Sequence, residues 1–451
     1  MDELKVGTAK VNITPPIGTR PYGYTLRTKK STGIHDELYA KVLVLDDGEI
    51  AVAVVSADLV GFPKDIVKKV RESVGADEKV RGENIIMTAT HNHNGPTTSI
   101  GRTFQRRDEA WTKVLEEKIA GAISAAIRNA GEARIGASKG HLEGVSINRR
   151  YRDGPVDPEV GVIRVEDKAG NPLAILINFT CHPAVVAGHN LMITAGYPGF
   201  ATSLVENVLG GGCVSLFTQG ACGNVNPWDF YWGDPAYSPK HRHTFAESKR
   251  LGTILGSEAL KVAESLETFP DGKIGVGTKT LTLPMRETPS VEELELMVKE
   301  ARRKLPHHKI VKEVWDEADN LSNIFYRNPF EYELRFSQMV LEMARSGIRK
   351  IETEVKVLTI DDACAVCIPG ELFVELGLEI KERSDYENAF IFGYANDYVG
   401  YLPTLEATQE AGLLWHDNLL GLTYGTNLPS SKVAPEAVQL IVESAVKLAR
   451  A

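Results

Sequence analysis

Short runs of aliphatic, largely β-branched residues recur along this chain, and each stops abruptly in polar residues. KVLVLDDGEIAVAVVSADL (41–59), NIIMTAT (84–90) and LAILINFT (173–180) are the clearest. Their length and composition suit strands. The first reads as two strands around the turn Asp46-Asp47-Gly48. Between these runs the spacing of apolar residues becomes helical. Residues 63–74 are amphipathic and begin with Pro63, a favoured first helical residue. Trp111, Val114, Leu115, Ile119, Ile123 and Ile127 mark a helix over 108–130. Further strands are expected at 133–139, 159–165 and 350–369, and helices at 199–209, 245–267 and 434–450. This alternation predicts an α/β fold.

Residues 289–305 and 310–346 break the alternation. They are charged, helical and amphipathic. They read as a helical hairpin or lid on one side of the main body, or as a solvated insertion with no part in chemistry. No internal repeat and no Pro/Gly/Ser-rich boundary divides the chain, so one α/β unit over 1–451 is expected.

Composition excludes several function classes. Acidic residues outnumber basic ones, 60 to 51, for a formal charge of −9. Unspecific nucleic-acid binding needs a basic face, so no nucleic-acid partner is expected. No apolar stretch is long enough to cross a bilayer. The start, MDELKVGTAKVNITPP, lacks a basic segment followed by an apolar one, which makes the cytoplasm the expected compartment. Cys181, Cys213, Cys222, Cys364 and Cys367 are an odd, sparse set that argues against a disulfide framework.

Four segments could carry chemistry. His91-Asn92-His93-Asn94-Gly95-Pro96 follows an apolar strand directly. In extended chain, residues two apart point the same way, so His91 and His93 could face one metal. They could equally be loop histidines bonded to backbone or solvent. Asn178-Phe179-Thr180-Cys181-His182-Pro183 ends a second apolar strand, and His182 becomes a credible further nitrogen ligand beside the first pair. Cys367-Ile368-Pro369-Gly370-Glu371 places a carboxylate by a Pro-Gly turn at the start of the helix ELFVELGLEIK. Glu371 is then an anionic ligand or an ordinary first-turn glutamate. Asn396-Asp397-Tyr398-Val399-Gly400-Tyr401 follows the strand AFIFGYA. Tyrosines there pack locally or, less commonly, ligate zinc.

Familiar templates fail: there is no HExxH, GxxxxGK[ST], GxSxG or GxGxxG. Cys364 and Cys367 form a lone CxxC that reads as structural, with alternating inward thiols in a strand pair. Cys222, in Gln219-Gly220-Ala221-Cys222-Gly223-Asn224, has nothing local to activate its thiol.

Taken together, the segments resemble the neutral, alkaline non-lysosomal ceramidase family, in its catalytic N-terminal domain. The resemblance runs in order through VGTAKVNITPPIGT (6–19), TATHNHNGP (88–96), SINRR (146–150), NFTCHP, TQGACGNVNP (218–227), IPGE (368–371) and NDYVGYLPT (396–404). It implies an α/β fold of mixed β-sheets flanked by helices, and zinc-dependent hydrolysis of an N-acyl amide by an activated water. It implies zinc (Zn2+) on His91, His182, Glu371 and Tyr398. His93 would stand beside the metal near the reacting amide, and Arg149 would face the developing oxyanion. The expected partner is a small-molecule N-acyl substrate, and a homo-oligomer is left open. A zinc hydrolase of the same fold acting on a non-lipid ester or amide, and a non-catalytic zinc-binding relative, are the alternatives. Glu410 and His416 stand where the family places a further active-centre tyrosine, and their roles stay open.

Overall fold

The apolar runs pair into two sheets. The computed structural model describes residues 3–24, 27–74, 79–98, 106–186, 188–227, 243–305, 329–412 and 425–450. The larger sheet has eight strands: β1 (Lys5–Asn12), β2 (Tyr39–Asp46), β3 (Ala51–Ala57), β4 (Ile85–Ala89), β5 (Gly131–His141), β6 (Glu159–Asp167), β7 (Pro172–Phe179) and β8 (Val214–Gln219). Their spatial order is β8-β7-β6-β5-β1-β2-β3-β4. Pairs β7/β8 and β3/β4 are parallel, and the other neighbours are antiparallel. The smaller sheet runs β9 (Ile274–Pro284), β10 (Lys350–Ile360), β11 (Ala363–Cys367), β12 (Asn388–Phe392), and β11/β12 is parallel. Both sheets are therefore mixed.

Strand alternation explains the unbroken apolar runs. Leu43, Leu45, Val52 and Val54 face the small sheet and share one cluster with Leu358, Ile360, Phe390 and Phe392. Their neighbours Val42, Val44, Ala53 and Val55 face outward under α1 (Lys64–Ser73) and α2 (Glu109–Arg128). A strand covered on both faces has no use for polar alternation. Each such aliphatic contributes about 1.5–3 kcal/mol on burial. Helices α3 (Gly196–Leu209) and α4 (Phe245–Ser265) cover β6–β8. The chain continues through α5 (Val291–Lys304), α6 (Pro329–Ser346), α7 (Val374–Arg383), α8 (Leu405–Ala411) and α9 (Pro435–Leu448). Of these, α7 and α9 cover the small sheet. The layers run helix, sheet, sheet, helix.

The large sheet coils strongly. Lys41 Nζ in β2 donates to the Ser215 carbonyl at 2.7 Å, and Ser56 Oγ in β3 donates to the Phe217 carbonyl at 2.5 Å. Strand β8, far from β2 and β3 in the pairing order, thus returns to them. The carboxyl ends of β4 and β7 are brought together as a result.

Strands β1, β8 and β9 had no counterpart in the sequence reading. Strands β1 and β9 carry exposed or half-exposed lysines and threonines, which blurs their apolar pattern. The expected stretch 350–369 divides into β10 and β11 at Asp361, whose φ is +50°. Helices α5 and α6 pack on each other through Leu294, Val298, Val340 and Leu341, as a hairpin should. Residues 306–328 of that insertion lie outside the described residues. Cys364 and Cys367 sit in one strand but join clusters on its opposite faces, not one inward face. All five thiols are free and buried.

Candidate metal centre

The three parallel strand pairs end at one place. His91 follows β4 and His182 follows β7, while Glu371 and Tyr398 follow β11 and β12. In open α/β sheets the crevice at strand carboxyl ends is where ligands bind. Here each pair supplies a ligand candidate from one strand and its support from the other. His91 Nδ1 donates to the carbonyl of Val60, just beyond β3, at 2.8 Å. His182 Nδ1 donates to the carbonyl of Cys222, just beyond β8, at 2.7 Å. The Tyr398 hydroxyl donates to Oε1 of Glu371.

The local geometry departs from the sequence expectation at two points. His91 and His93 do not converge by lying in extended chain. Strand β4 ends at Ala89, and His91 adopts a left-handed backbone with φ of +62°. Such a conformation costs a non-glycine residue about 1–2 kcal/mol and must be held. Asn92 holds it, with Nδ2 donating to the carbonyls of Asp58 at 3.1 Å and Thr194 at 2.8 Å. Nor is Glu371 a first-turn helical residue. It sits in a two-residue ladder, Glu371–Leu372 beside Tyr401–Leu402, and α7 begins only at Val374. Its N–H donates to the Gly400 carbonyl at 2.9 Å, which joins the IPGE and NDYVGYLP segments.

Because the Nδ1 atoms of His91 and His182 carry protons, their Nε2 atoms present lone pairs in the neutral rings. These two Nε2 atoms are 3.0 Å apart. Oε2 of Glu371 lies 3.4 Å from each. Tetrahedral zinc with bonds of about 2.0–2.2 Å sets its ligand atoms about 3.3–3.6 Å apart. All three groups are buried, and Oε2 of Glu371 has no hydrogen-bond donor among the described residues. Converging lone pairs around an unsatisfied buried carboxylate are costly without a cation. The donor set therefore fits a metal ion.

His93 belongs to the same buried cluster, with Nε2 3.1 Å from that of His91. Position alone leaves it as eligible as His182. Its other nitrogen differs: Nδ1 is buried and has no hydrogen-bond partner among the described residues. Burial pulls the His182 ring down to about 4, against partial compensation from Glu371. Burial, and then the neighbouring His91, hold His93 well below the ordinary histidine range. For Glu371, burial acts upward but is outweighed by His91 and His182, so the carboxyl stands well below its usual range. A bound metal would itself hold its imidazole ligands neutral and its carboxylate ionised. Arg149, buried, donates to the Gly223 carbonyl and lies over the Tyr401 ring at 5.3 Å. Its charge acts on His182.

Residues 4–229 match the family model described as neutral/alkaline non-lysosomal ceramidase, N-terminal. That match covers half of the chain. The chain belongs to this family. It is 26% identical over 260 residues to neutral ceramidase A of Dictyostelium discoideum, covering 49% of this chain and 36% of that protein. It is 23% identical over 239 residues to neutral ceramidase of Mycobacterium tuberculosis, covering 46% and 37%. The matches thus span about half of this chain and little more than a third of those relatives. The crystal structure of neutral ceramidase from Pseudomonas aeruginosa superposes with a TM-score of 0.73 at 19% identity, over 100% of this chain and 74% of that one. A ceramidase complexed with C2 gives 0.73 at 17% identity, over 100% and 75%. At these identities the likeness is one of fold.

Several supports of this ceramidase-family site escaped the sequence reading. Arg27 is buried and donates to the backbone carbonyls of Tyr22 and His93 and, at 3.0 Å, to Asn94 Oδ1. It fixes the loop that carries both histidines, and it lies far from them in sequence. Gly23, at φ +103°, is needed because a Cβ there would stand 2.6 Å from the His93 ring. Tyr394 stacks on His91, with centroids 4.0 Å apart. Cys222, a nucleophile in no sense here, has a thiol pushed up by burial and lies 3.1 Å from the Tyr394 hydroxyl. Glu410 pairs with Arg150 at 2.8 Å and accepts from the Tyr151 hydroxyl, which ties α8 to the SINRR segment. His416 lies outside the described residues.

Proposed function

We propose that this chain is a zinc-dependent hydrolase that cleaves the amide bond of an N-acyl substrate of ceramide type. The observation that carries the reading is the convergence of His91, His182 and the unsatisfied Oε2 of Glu371, with the carboxylate oxygen 3.4 Å from each Nε2 and the two nitrogens 3.0 Å apart, in a chain of the ceramidase family. His91, His182 and Glu371 hold the metal, and Tyr398 completes the set through the Glu371 side. Two imidazoles with carboxylate and phenol oxygens suit zinc better than softer or harder ions.

When bound, zinc lowers the pKa of a water toward about 7 and polarises an amide carbonyl. The rest is done by the chain. Glu371 and the two anchored histidines fix where the scissile group sits. Arg149, held by the Gly223 carbonyl, offers its planar fork to the oxyanion. Burial holds His93 well below the ordinary histidine range, and its Nδ1 is tied to no carbonyl among the described residues. His93 would take a proton from the attacking water and pass it to the leaving amine nitrogen as the C–N bond breaks. No described helix is long and apolar enough to cross a membrane.

The test is turnover by zinc-loaded protein on three probes: a fluorescent short-chain ceramide, an N-acyl amino acid and a p-nitrophenyl ester. Release of fatty acid from the ceramide, abolished by chelation and restored by zinc, is the expected result. Cleavage of the ester alone, or zinc binding with no turnover on any probe, overturns the reading.

A further inference from the structure

The metal centre is assembled from both sheets. His91 and His93 follow β4, the edge strand of the large sheet, whereas Glu371 and Tyr398 follow β11 and β12 of the small one. Nothing in the strand pairing joins these two sources. Asn396 does. Its N–H donates to the Met87 carbonyl at 2.8 Å, and the Met87 N–H donates to Asn396 Oδ1 at 2.8 Å. The side-chain amide thereby completes a two-bond exchange of the kind an antiparallel neighbour would make. It does so on the side of β4 that has no strand partner among the described residues.

A second tie runs in parallel. Asn396 Nδ2 donates to Glu354 Oε1 at 2.9 Å. The same oxygen accepts from Arg71 Nη2 at 2.7 Å, and that nitrogen also donates to the Ile85 carbonyl at 2.8 Å. Asn396 is thus bound to β4 directly at Met87 and through Glu354 and Arg71 at Ile85. Its backbone is left-handed, φ +60°, a conformation asparagine takes more readily than most side chains. The His182 half of the site has its own link to the small sheet: Asn178 Nδ2 donates to the Ile391 carbonyl at 2.8 Å, and the Gly393 N–H to the Gln219 carbonyl at 2.8 Å. Asn396 is the counterpart for the His91 half.

We propose that Asn396 is a positioning residue of the metal centre, setting the separation between His91 and the Glu371–Tyr398 pair. The inference rests on reading that centre as a zinc site. A metal site tolerates ligand displacements of only about 0.2 Å, and Asn396 lies two residues from Tyr398 on a chain clamped to the strand that delivers His91. Loss of its amide leaves both histidines and Glu371 in place but frees one half of the set to drift from the other.

Two variants test this in the full chain. Asn396→Gly deletes the amide while keeping the left-handed backbone accessible. Glu354→Ala removes the second tie at a partly exposed position. Zinc affinity is measured by competition with a chromophoric chelator, and coordination by the visible absorption of cobalt(II)-loaded protein. Thermal unfolding of the metal-free protein is followed alongside. Asn396→Gly should weaken zinc binding roughly tenfold and alter the cobalt bands, as loss of outer-shell support does. Glu354→Ala should weaken it less, and the double variant no more than Asn396→Gly alone. Wild-type affinity and cobalt spectra in both variants overturn the inference. So does lower metal-free stability with unchanged affinity, which assigns Asn396 to the fold alone. If Asn396→Gly does not fold, unchanged affinity in Glu354→Ala decides against the inference. A wild-type chain that takes up neither ion overturns the parent reading, and this one with it.

Discussion

The hydroxyl of Tyr398 donates to Oε1 of Glu371, while Oε2 of the same carboxylate faces His91 and His182 at 3.4 Å each. One carboxylate is therefore divided between a phenol and the two histidines. This fixes what each substitution should do. Glu371→Gln removes the only anion facing the histidines among the described residues and should cost most of the zinc affinity. Tyr398→Phe leaves that anion and removes its support. It should keep zinc, with affinity lower by about tenfold, and change turnover and its pH dependence. Metal titration and pH–rate profiles check both. A Tyr398→Phe variant with wild-type affinity and profile would take Tyr398 out of the site.

The second nitrogen separates the three histidines. His91 and His182 are aimed by Nδ1 bonds to backbone carbonyls, and among the described residues His93 has no such bond. The chain should hold about one zinc, as a single four-ligand site does. His91→Ala and His182→Ala should each lose metal and activity together. His93→Ala should keep most of its metal and lose turnover. Elemental analysis of the three purified variants is the measurement, and equal metal loss in all three would make His93 a ligand.

The strand ends were legible in the sequence because an apolar run stops where burial stops. His91, His182 and Tyr398 each follow such a run directly, so their clustering could be anticipated from pattern and motif order. How they are aimed could not. The left-handed turn at His91 has no local signature, since histidine rarely adopts it. The carbonyls of Val60 and Cys222 that orient the rings come from neighbouring strands, and carbonyls leave no trace in side-chain identity. Glu371 was read as helical because the segment after it is a good helix. Its ladder with Tyr401 is a long-range pairing that overrides the local pattern. Arg27 and Asn396 act on loops distant in sequence, and a lone arginine or asparagine reads as surface until the partner is seen. Strand β8 lacked a polar alternation to announce it, although the sheet closes on it.

Arg149 sits on the Gly223 carbonyl and over the Tyr401 ring, a geometry that holds a planar fork in one orientation. An oxyanion donor acts mostly in the transition state, so Arg149→Ala should lower kcat far more than it raises KM. The expected loss is roughly a hundredfold or more. Arg149→Lys keeps the charge without the fork and should recover only part. Steady-state kinetics on the zinc-loaded variants resolve the split. Normal kcat with a large KM change would move Arg149 to simple substrate binding.

Asp58, just past β3, supports the histidine loop, its carbonyl accepting from Asn92 Nδ2 at 3.1 Å and its Oδ2 from the Tyr39 N–H at 2.8 Å. Burial pushes its carboxyl up to about 6, with Lys41 and the Tyr39 N–H offsetting part of that rise. The unfolded chain titrates near 3.9. The folded state therefore binds the proton more tightly, and between about pH 4 and pH 6 folding takes up a proton. Below that window the carboxyl is neutral in both states and contributes nothing adverse. As pH rises through the folded value the buried charge develops, and above it the full cost of about 3 kcal/mol is present. Asp58→Asn keeps an oxygen for the Tyr39 N–H and removes the ionisation, while Lys41 retains Glu206 at 2.8 Å. The variant should be more stable than wild type at pH 8, by up to about 3 kcal/mol, a figure already net of the attraction to Lys41. That advantage should shrink steadily as pH falls from 6.5 to 5. Urea unfolding across this range measures it. A stability difference that does not change with pH would show that Asp58 is not the buried acid described here.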